Sequence, residues 1–374
     1  MPPKQQMLTD DSTAPAAGSA SSPWADALFR VGPLTALPGI VRELGGDPVR
    51  LLAEAGFERE QLANPDRELS YLRASGLIAA CVAATRCDHL GLLVGQRASA
   101  SCLGIPGFLL ETAPNVRSGL QGLARHLALH DRGSVLALTA DGSQTELGFR
   151  VTVPAVAALD QINDLAMSVA CRLMRSLCGE RWNPSLVLLP RRTTGYDAPY
   201  REFFRSPLQF GADRCALRFP TRWLHHRTPG ANPLLHRHLE AEADKLCTEH
   251  SLGLVGDVNR LLRAGLATPG FGATTIAGRL GMHERTLHRR LTRAGTSFRH
   301  EVQTARQTVA MQLLGHTDLP IATIAERVGY TDATAFTRAF RRWCGCPPSR
   351  WRTLHASRHD AGGWIDAGKN QPST

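Results

Sequence analysis

Long apolar segments are scarce in this 374-residue chain, which argues against a membrane protein. No stretch approaches the ~20 consecutive apolar residues that a membrane helix needs. The longest apolar runs, such as Leu77–Ala84, have the length of a buried helix segment. The first residues, Met1–Gln6, also lack the apolar core of a secretion signal. We therefore expect a cytoplasmic protein with no membrane partner.

Cysteine pairs with metal-ligand spacing are absent as well. Nine cysteines are scattered along the chain, and none belongs to a CxxC pair. This odd, scattered set argues against a disulfide framework and against a zinc finger. Histidines crowd around residues 225–238, but the i, i+2 spacing of His236 and His238 does not place them on one helix face. We expect reduced, mostly buried thiols and predict neither a metal nor a cofactor.

Lysine is rare, and arginine carries most of the positive charge in one segment. Residues 251–360 contain sixteen arginines, no lysine and seven acidic residues, a surplus of nine positive charges. The whole chain has a formal net charge of +10, so the remainder is nearly neutral. A basic segment next to a neutral one predicts a nucleic-acid-binding module joined to a domain with another task.

The character of the sequence changes along the chain and divides it into five segments. Residues 1–22 and the tail over residues 357–374 lack apolar periodicity, so we expect both to be disordered. Residues 23–232 mix helical segments with short β-prone runs, which predicts an α+β domain. Residues 233–252 are typical of a polar helical linker. Residues 253–356 show no strand pattern and predict an all-α domain.

Local signals place several elements in the α+β segment. Asp47 before Pro48 is typical of a helix start. Asp141-Gly142 between two β-prone runs predicts a hairpin. The other expected elements are the helices Tyr71–Ala84, Val116–Leu129 and Asp160–Leu177 and the strands Leu186–Leu189 and Ala216–Phe219.

The basic segment contains an internal repeat. The sequence Ile-Ala-Gly-Arg-Leu-Gly over residues 276–281 recurs as Ile-Ala-Glu-Arg-Val-Gly over residues 324–329, 48 positions later. Each copy has the sequence features of a helix-turn-helix. On one face of its first helix, Ile is joined by Leu in the first copy and by Val in the second, and the glycine that follows permits a sharp turn. The second helix then packs back through Leu287 and Leu291 in one copy and Phe336 and Phe340 in the other.

The outward face of each second helix is left free to meet DNA. Arginine can bind guanine edges or phosphates, and threonine can contact a thymine methyl group. We expect Arg289 and Arg338 to hold phosphates, and Arg285, His288 and Thr334 to contribute to base reading together with Thr337. The candidate DNA-binding residues are Arg285, His288, Arg289 and Thr292 in copy one, and Thr334, Thr337, Arg338 and Arg341 in copy two.

Two details of the repeat concern its local structure. Thr331 is the expected N-cap of the second recognition helix, with Asp332 in its first turn. The segment Phe298–Leu314 predicts a long helix with Val302, Ala305, Val309 and Leu313 along one stripe. Such a rigid spacer can place two recognition helices one DNA turn apart, about 34 Å. One chain could then read two successive major grooves.

The second copy closely resembles the signature of AraC/XylS-type regulators. Fourteen fixed positions of that signature match between Ile324 and Arg352. The first copy also fits, except that His283 stands where the family favours a serine cap. The resemblance covers residues 253–355. It implies a double helix-turn-helix domain that binds promoter DNA.

The N-terminal region resembles the arabinose-binding type of effector domain that ornithine-responsive members of the family carry. The similar stretches are Leu90–Gly95, Leu103–Phe108 and Phe203–Phe210. This resemblance implies effector sensing and dimerisation, but it names neither the effector nor its binding residues. It leads us to expect an effector-responsive activator that works as a homodimer and contacts RNA polymerase. Of the two helix-turn-helix copies, we expect the first to read sequence and the second to anchor the protein.

The sequence argues against two alternative functions. An enzyme fused to the same DNA-binding unit, as in adaptive-response alkyltransferases, would need a cysteine zinc site and a reactive Pro-Cys-His motif, and the chain has neither. We therefore predict that it is not an enzyme. An effector-independent architectural DNA binder would not need a near-neutral domain of this size.

His126 and His130 are four residues apart and share a helix face. They are either a satisfied core pair or contacts to a ligand.

Overall fold

A computed structural model describes residues 27–153, 156–192, 195–249, 253–266, 272–280, 282–316 and 319–356. The segments predicted to be disordered, 1–22 and 357–374, lie outside these ranges. The described chain is α+β up to about residue 249 and helical from residue 253 onward, which confirms the predicted fold class. Within these ranges, no helix combines the length and the apolar character of a membrane span.

Seven strands build two sheets in the described residues of the N-terminal part. The smaller sheet pairs β1 with β2, and the larger has the order β3-β4-β7-β5-β6, antiparallel except for the parallel pair β5 and β6. The strands are β1 Leu28–Arg30, β2 Glu68–Ser70, β3 Ser134–Asp141, β4 Gln144–Val151, β5 Leu186–Leu189, β6 Leu208–Phe210 and β7 Cys215–Pro220.

The same described residues also form ten α-helices. The predicted helix after Asp47 is present, and the Asp47 side chain caps it by accepting hydrogen bonds from the amides of Val49 and Arg50. The helices are α1 Leu37–Glu43, α2 Pro48–Glu54, α3 Arg59–Ala63, α4 Tyr71–Thr85, α5 Leu90–Gly95, α6 Ile105–Thr112, α7 Val116–His126, α8 Leu159–Cys178, α9 Ala198–Phe204 and α10 Pro233–Glu249.

The predicted hairpin forms, but its turn is shifted by one residue. Asp141 pairs with Gln144 and so belongs to β3, which leaves Gly142 and Ser143 as the turn. Gly142 has a φ of +56°, as the first central residue of a type II′ turn requires. The prediction of an Asp-Gly turn was therefore wrong, because Gly in the first turn position also satisfies hairpin geometry.

The helix α8 is the centre of the N-terminal part. Its Met167, Cys171 and Met174 belong to a core formed with the large sheet, α6 and α7. Its Ile162 belongs to a second core formed with α1, α2 and α4. Helix α5 lies so close to α8 that a Cβ atom on Gly91 would be 2.0 Å from the backbone oxygen of Gln161.

The expected linker is a helix that packs on the N-terminal part. Arg125 and His126 at the end of α7 contact Glu240 and Asp244 of α10 at 3.1 and 2.9 Å. His126 is thus a satisfied core histidine. This was one of the two interpretations of His126 and His130, the other being contacts to a ligand. Of the nine cysteines, four are buried and five half-buried.

A buried polar cluster ties α8 to β5 and α9. Arg191 and the hydroxyl of Tyr200 both donate hydrogen bonds to the Asp164 carboxylate, at 2.5 and 2.7 Å. Asp164 is inaccessible to solvent, and Arg191 is only 7% exposed. Burial raises the pKa of Asp164 to about 6, although neighbouring Arg191 acts in the opposite direction. The charge on Asp164 therefore depends on Arg191.

We predict that Arg191→Met lowers the free energy of unfolding by about 3–5 kcal/mol, because it leaves a buried carboxylate without its partner. Urea unfolding followed by circular dichroism measures the change. The matched control, Arg172→Met, alters an exposed arginine on α8 and should stay within about 0.5 kcal/mol of the parent. Equal effects of the two substitutions would contradict this role.

Candidate nucleic-acid interface

The C-terminal part consists of seven helices that form two similar units around one shared helix. The first unit contains α12 and α13, the second contains α15 and α16, and α14 runs between them. The helices are α11 Gly253–Gly265, α12 Ala273–Arg279, α13 Glu284–Arg293, α14 Phe298–His316, α15 Ile321–Arg327, α16 Ala333–Cys344 and α17 Pro348–Ala356.

The first unit packs as the repeat predicts. Ile276 and Ala277 of α12 are buried against Leu287 and Leu291 of α13. His283 is the N-cap of α13, because its Nδ1 accepts a hydrogen bond from the Arg285 amide at 3.2 Å. Histidine therefore replaces the serine that the family favours without loss of the cap. Gly281, the predicted turn residue, lies outside the described residues.

The second unit has an aromatic core. Phe336 and Phe340 of α16 are buried against Ile324 and Ala325 of α15. Gly329 has a φ of +79° between the two helices, a conformation that glycine adopts at little cost. The predicted sharp turn is confirmed for this copy.

The N-cap of α16 differs from the prediction. Asp332 occupies this position, and its carboxylate accepts a hydrogen bond from the Ala335 amide at 2.7 Å. The assignment of Thr331 as the cap was wrong. Both residue types are good caps, and the carboxylate adds a favourable interaction with the helix N-terminus, so the sequence alone did not separate them.

The helix α14 belongs to the cores of both units. Val302 and Ala305 pack with the first unit, whereas Val309 and Leu314 pack with the second. Leu313, which the predicted stripe included, is only partly buried. A single stripe serves one partner, but α14 has two partners in different directions, so its apolar face shifts along its length.

A buried carboxylate fixes the start of α14. Glu301 is 4% exposed and accepts hydrogen bonds from the side chains of Asn259 in α11 and Thr296 in the preceding turn. Hydrogen-bonded buried charges fix geometry because breaking them leaves an unpaired group. The first unit is thereby attached firmly to the shared helix.

The eight candidate DNA-binding residues form two stripes of the same geometry. In each recognition helix the four residues have the spacing i, i+3, i+4 and i+7, which places them on one face. This face is opposite the buried Leu287 and Leu291 or Phe336 and Phe340. Seven are exposed and Thr337 is half-buried. The stripes are Arg285, His288, Arg289 and Thr292 on α13, and Thr334, Thr337, Arg338 and Arg341 on α16.

Some members of these stripes have partners within their own helix. The hydroxyls of Thr292 and Thr337 donate to the backbone oxygens of His288 and Ala333 at 3.0 and 2.7 Å. His288 Nε2 lies 3.6 Å from a carboxylate oxygen of Glu284. The threonine hydroxyls therefore offer acceptor lone pairs and methyl groups outward, while the arginines offer hydrogen-bond donors.

The large sheet contacts the C-terminal part directly. Arg327, at the end of α15, forms an ion pair with Asp213 and donates to its backbone oxygen at 3.0 Å. Arg150 of β4 donates to the backbone oxygen of Arg263 in α11 at 3.1 Å. Burial, and then the nearby Arg327, lower the pKa of Arg150. These contacts could not be predicted from the sequence, since no local pattern marks pairs 113 or 114 residues apart.

Two family models match the chain. The arabinose-binding domain of AraC transcription regulator, N-term, matches residues 45–228, and a helix-turn-helix domain matches residues 276–353.

No group of three or more His, Cys, Asp or Glu side chains in the described part of the chain could hold a metal ion.

Curated relatives match along nearly the whole chain. The HTH-type transcriptional regulator VirS of Mycobacterium tuberculosis is 28% identical over 87% of this chain and 96% of its own length. The ornithine utilization regulator of Pseudomonas aeruginosa is 29% identical over 85% of this chain and 94% of its own length. The crystal structure of transcriptional regulator CdpR from Pseudomonas aeruginosa covers 83% of this chain at 24% identity, with a TM-score of 0.41.

We predict that Asp332→Ala weakens the first turn of α16 by about 1 kcal/mol, because it removes the N-cap hydrogen bond. Thr331→Ala, the neighbouring control, should change little. Hydrogen–deuterium exchange of the α16 amides in the full chain measures both effects. Faster exchange in the Thr331 variant than in the Asp332 variant would show that the cap is misassigned.

Proposed function

Because this chain belongs to the AraC family of DNA-binding transcriptional regulators, we propose that it reads two successive major grooves of promoter DNA and responds to a small molecule. Residues 253–356 are the DNA-binding domain in this proposal. Residues 23–232 are the effector-sensing and dimerising domain, and residues 233–252 link the two. In this proposal the chain has no catalytic activity, and it works in the cytoplasm.

The observation that carries the proposal is the pair of matched stripes at the two ends of one shared helix. Helix α14 has 19 residues and spans about 28 Å at ~1.5 Å per residue. The recognition helix α13 belongs to the same core as Ala305 of α14, and the recognition helix α16 belongs to the same core as Val309 and Leu314 of α14. This length is comparable with the ~34 Å that separates successive major grooves on one face of B-DNA. DNA bending can supply any remaining adjustment.

Arginine supplies the affinity in this proposal. Arg289 and Arg338 hold phosphates, as does Arg341, which gives binding that weakens as salt concentration rises. Arg285, His288 and Thr334 contact base edges together with Thr292 and Thr337. The first recognition helix carries the more varied stripe, so we assign it the larger share of sequence reading. The second anchors the protein and faces RNA polymerase.

The N-terminal domain acts on the second unit through the large sheet. The ion pair of Arg327 with Asp213 joins α15 to the loop before β7, and it moves if the sheet moves. A ligand that binds one arrangement more tightly shifts the protein towards that arrangement. We propose that this shift, in a homodimer, changes DNA affinity or polymerase contact and activates transcription.

We predict different consequences for the two kinds of arginine. Arg285→Ala should weaken binding to the cognate site by about 1–3 kcal/mol and relax specificity at one base pair. Arg289→Ala should weaken binding to all sequences and reduce the salt slope by about one. Fluorescence anisotropy with cognate and scrambled duplexes, across a salt series, measures both quantities.

The control for these variants is Arg67→Ala, which alters an exposed arginine of the N-terminal domain and should bind like the parent. Binding of the full chain that is independent of both salt and sequence would refute the DNA-reading proposal. Identical salt slopes for Arg285→Ala and Arg289→Ala would refute the division of roles between them.

A further inference from the structure

A largely apolar cavity of about 110 Å³ lies between the two cores of the N-terminal part. Eighteen of its 22 lining residues are apolar. They come from both cores: Leu123 and Leu173 belong to the core with the large sheet, and Leu34 and Ile78 to the other. An apolar cavity of roughly 150 Å³ accepts benzene. A ring-sized molecule therefore fits with modest movement of the lining leucines.

The polar side chains of the lining are few, and two of them are adjacent in sequence. These are His130 and Asp131, accompanied by Tyr71 and Ser75. His130 is 7% exposed, and its buried Nδ1 has no hydrogen-bond partner among the described residues. An unsatisfied buried nitrogen is costly, so this atom is available to a ligand. His126, four residues earlier, has Asp244 as its partner instead.

Asp131, in contrast, is already satisfied by the protein. Its carboxylate accepts hydrogen bonds from the Gly133 amide at 2.8 Å, the Ser134 hydroxyl at 2.5 Å and the Tyr71 hydroxyl at 3.4 Å. Burial raises its pKa to about 6, so it is mostly ionised at neutral pH. A carboxylate in the wall disfavours an anionic ligand.

His130 is neutral in this environment. Burial, and then the positive charge of Arg30, lower its pKa to about 3. A neutral imidazole carries one proton, so one of its nitrogens is a hydrogen-bond acceptor. With an apolar wall, a carboxylate whose hydrogen-bond donors the protein already supplies and a neutral histidine, the cavity selects an uncharged molecule with one polar group.

We infer that this cavity is the effector site and binds a small neutral molecule with an apolar ring or branched chain and one hydroxyl group, which hydrogen-bonds to His130 Nδ1. This inference rests on the proposed function, since it locates the effector of that regulator. The cavity also contacts the sheet that touches the C-terminal part: Leu147 and Phe149 of β4 line it, whereas Arg150 points to the opposite face and contacts Arg263.

Calorimetric titration of the full chain tests this inference with phenol, toluene and benzoate as probes. Phenol and toluene have the same size and differ by the hydroxyl group, and benzoate adds a negative charge. We expect phenol to bind roughly tenfold more tightly than toluene, the value of one buried hydrogen bond. Benzoate should not bind.

Three variants locate the binding. Ala170→Leu fills the cavity and should abolish binding of both phenol and toluene. His130→Ala should keep toluene binding and lose the preference for phenol. His126→Ala, the matched histidine control, lies outside the lining and should bind both probes like the parent. If Ala170→Leu does not unfold cooperatively, Ala166→Leu replaces it at a half-buried lining position.

Failure of phenol and toluene to bind the parent protein, or unchanged binding by the filled variant, would overturn the inference. An unchanged preference for phenol in His130→Ala would overturn the assigned hydroxyl partner. Anisotropy of the same samples with promoter DNA separates these outcomes from the proposed function. Loss of DNA binding alone would count against the regulator and leave the cavity result in place.

Discussion

The burial of one helix against two partners determines the geometry of the DNA-binding part. Helix α14 contributes Ala305 to the core of the first unit and Val309 and Leu314 to that of the second. Both recognition helices are fixed through these cores, so their separation and relative direction depend on α14 remaining helical and packed. Glu301 adds a polar attachment at the start of the helix. Because packed cores resist deformation, the two outward stripes are held at a fixed separation and orientation.

The large sheet and the loop before β7 connect the N-terminal domain to this part, through Arg150 and Asp213. Side chains alternate between the two faces of β4, so Leu147 and Phe149 meet the cavity while Glu146 and Arg150 are on the other face. A cavity of about 110 Å³ costs about 3 kcal/mol relative to a filled core at ~24 cal/mol per Å³. A ligand that recovers more of this energy in one arrangement of the sheet than in another shifts the protein towards that arrangement.

The sequence predicted features that depend on local pattern and missed those that depend on distant pairs. Repeat spacing and apolar periodicity were enough for both helix-turn-helix units and for the outward orientation of the two stripes. The cap of α16 was assigned to Thr331 instead of Asp332, because both residue types suit the position. The cavity and the ion pair of Arg327 with Asp213 could not be predicted. They arise where elements far apart in the chain meet, and an unpartnered His130 has the same local sequence as a satisfied one.

The proposed regulator depends above all on two recognition helices that are one DNA turn apart. Helical phasing of the binding site tests this spacing most directly. Hydroxyl-radical footprinting of the full chain on promoter DNA should show two protected tracts per protomer on one face of the duplex, about 10–10.5 base pairs apart. Inserting about 5 base pairs, half a turn, between the tracts should abolish one of them and weaken binding strongly. Two intact footprints at the altered spacing, with undiminished affinity, would contradict a rigid two-groove reader.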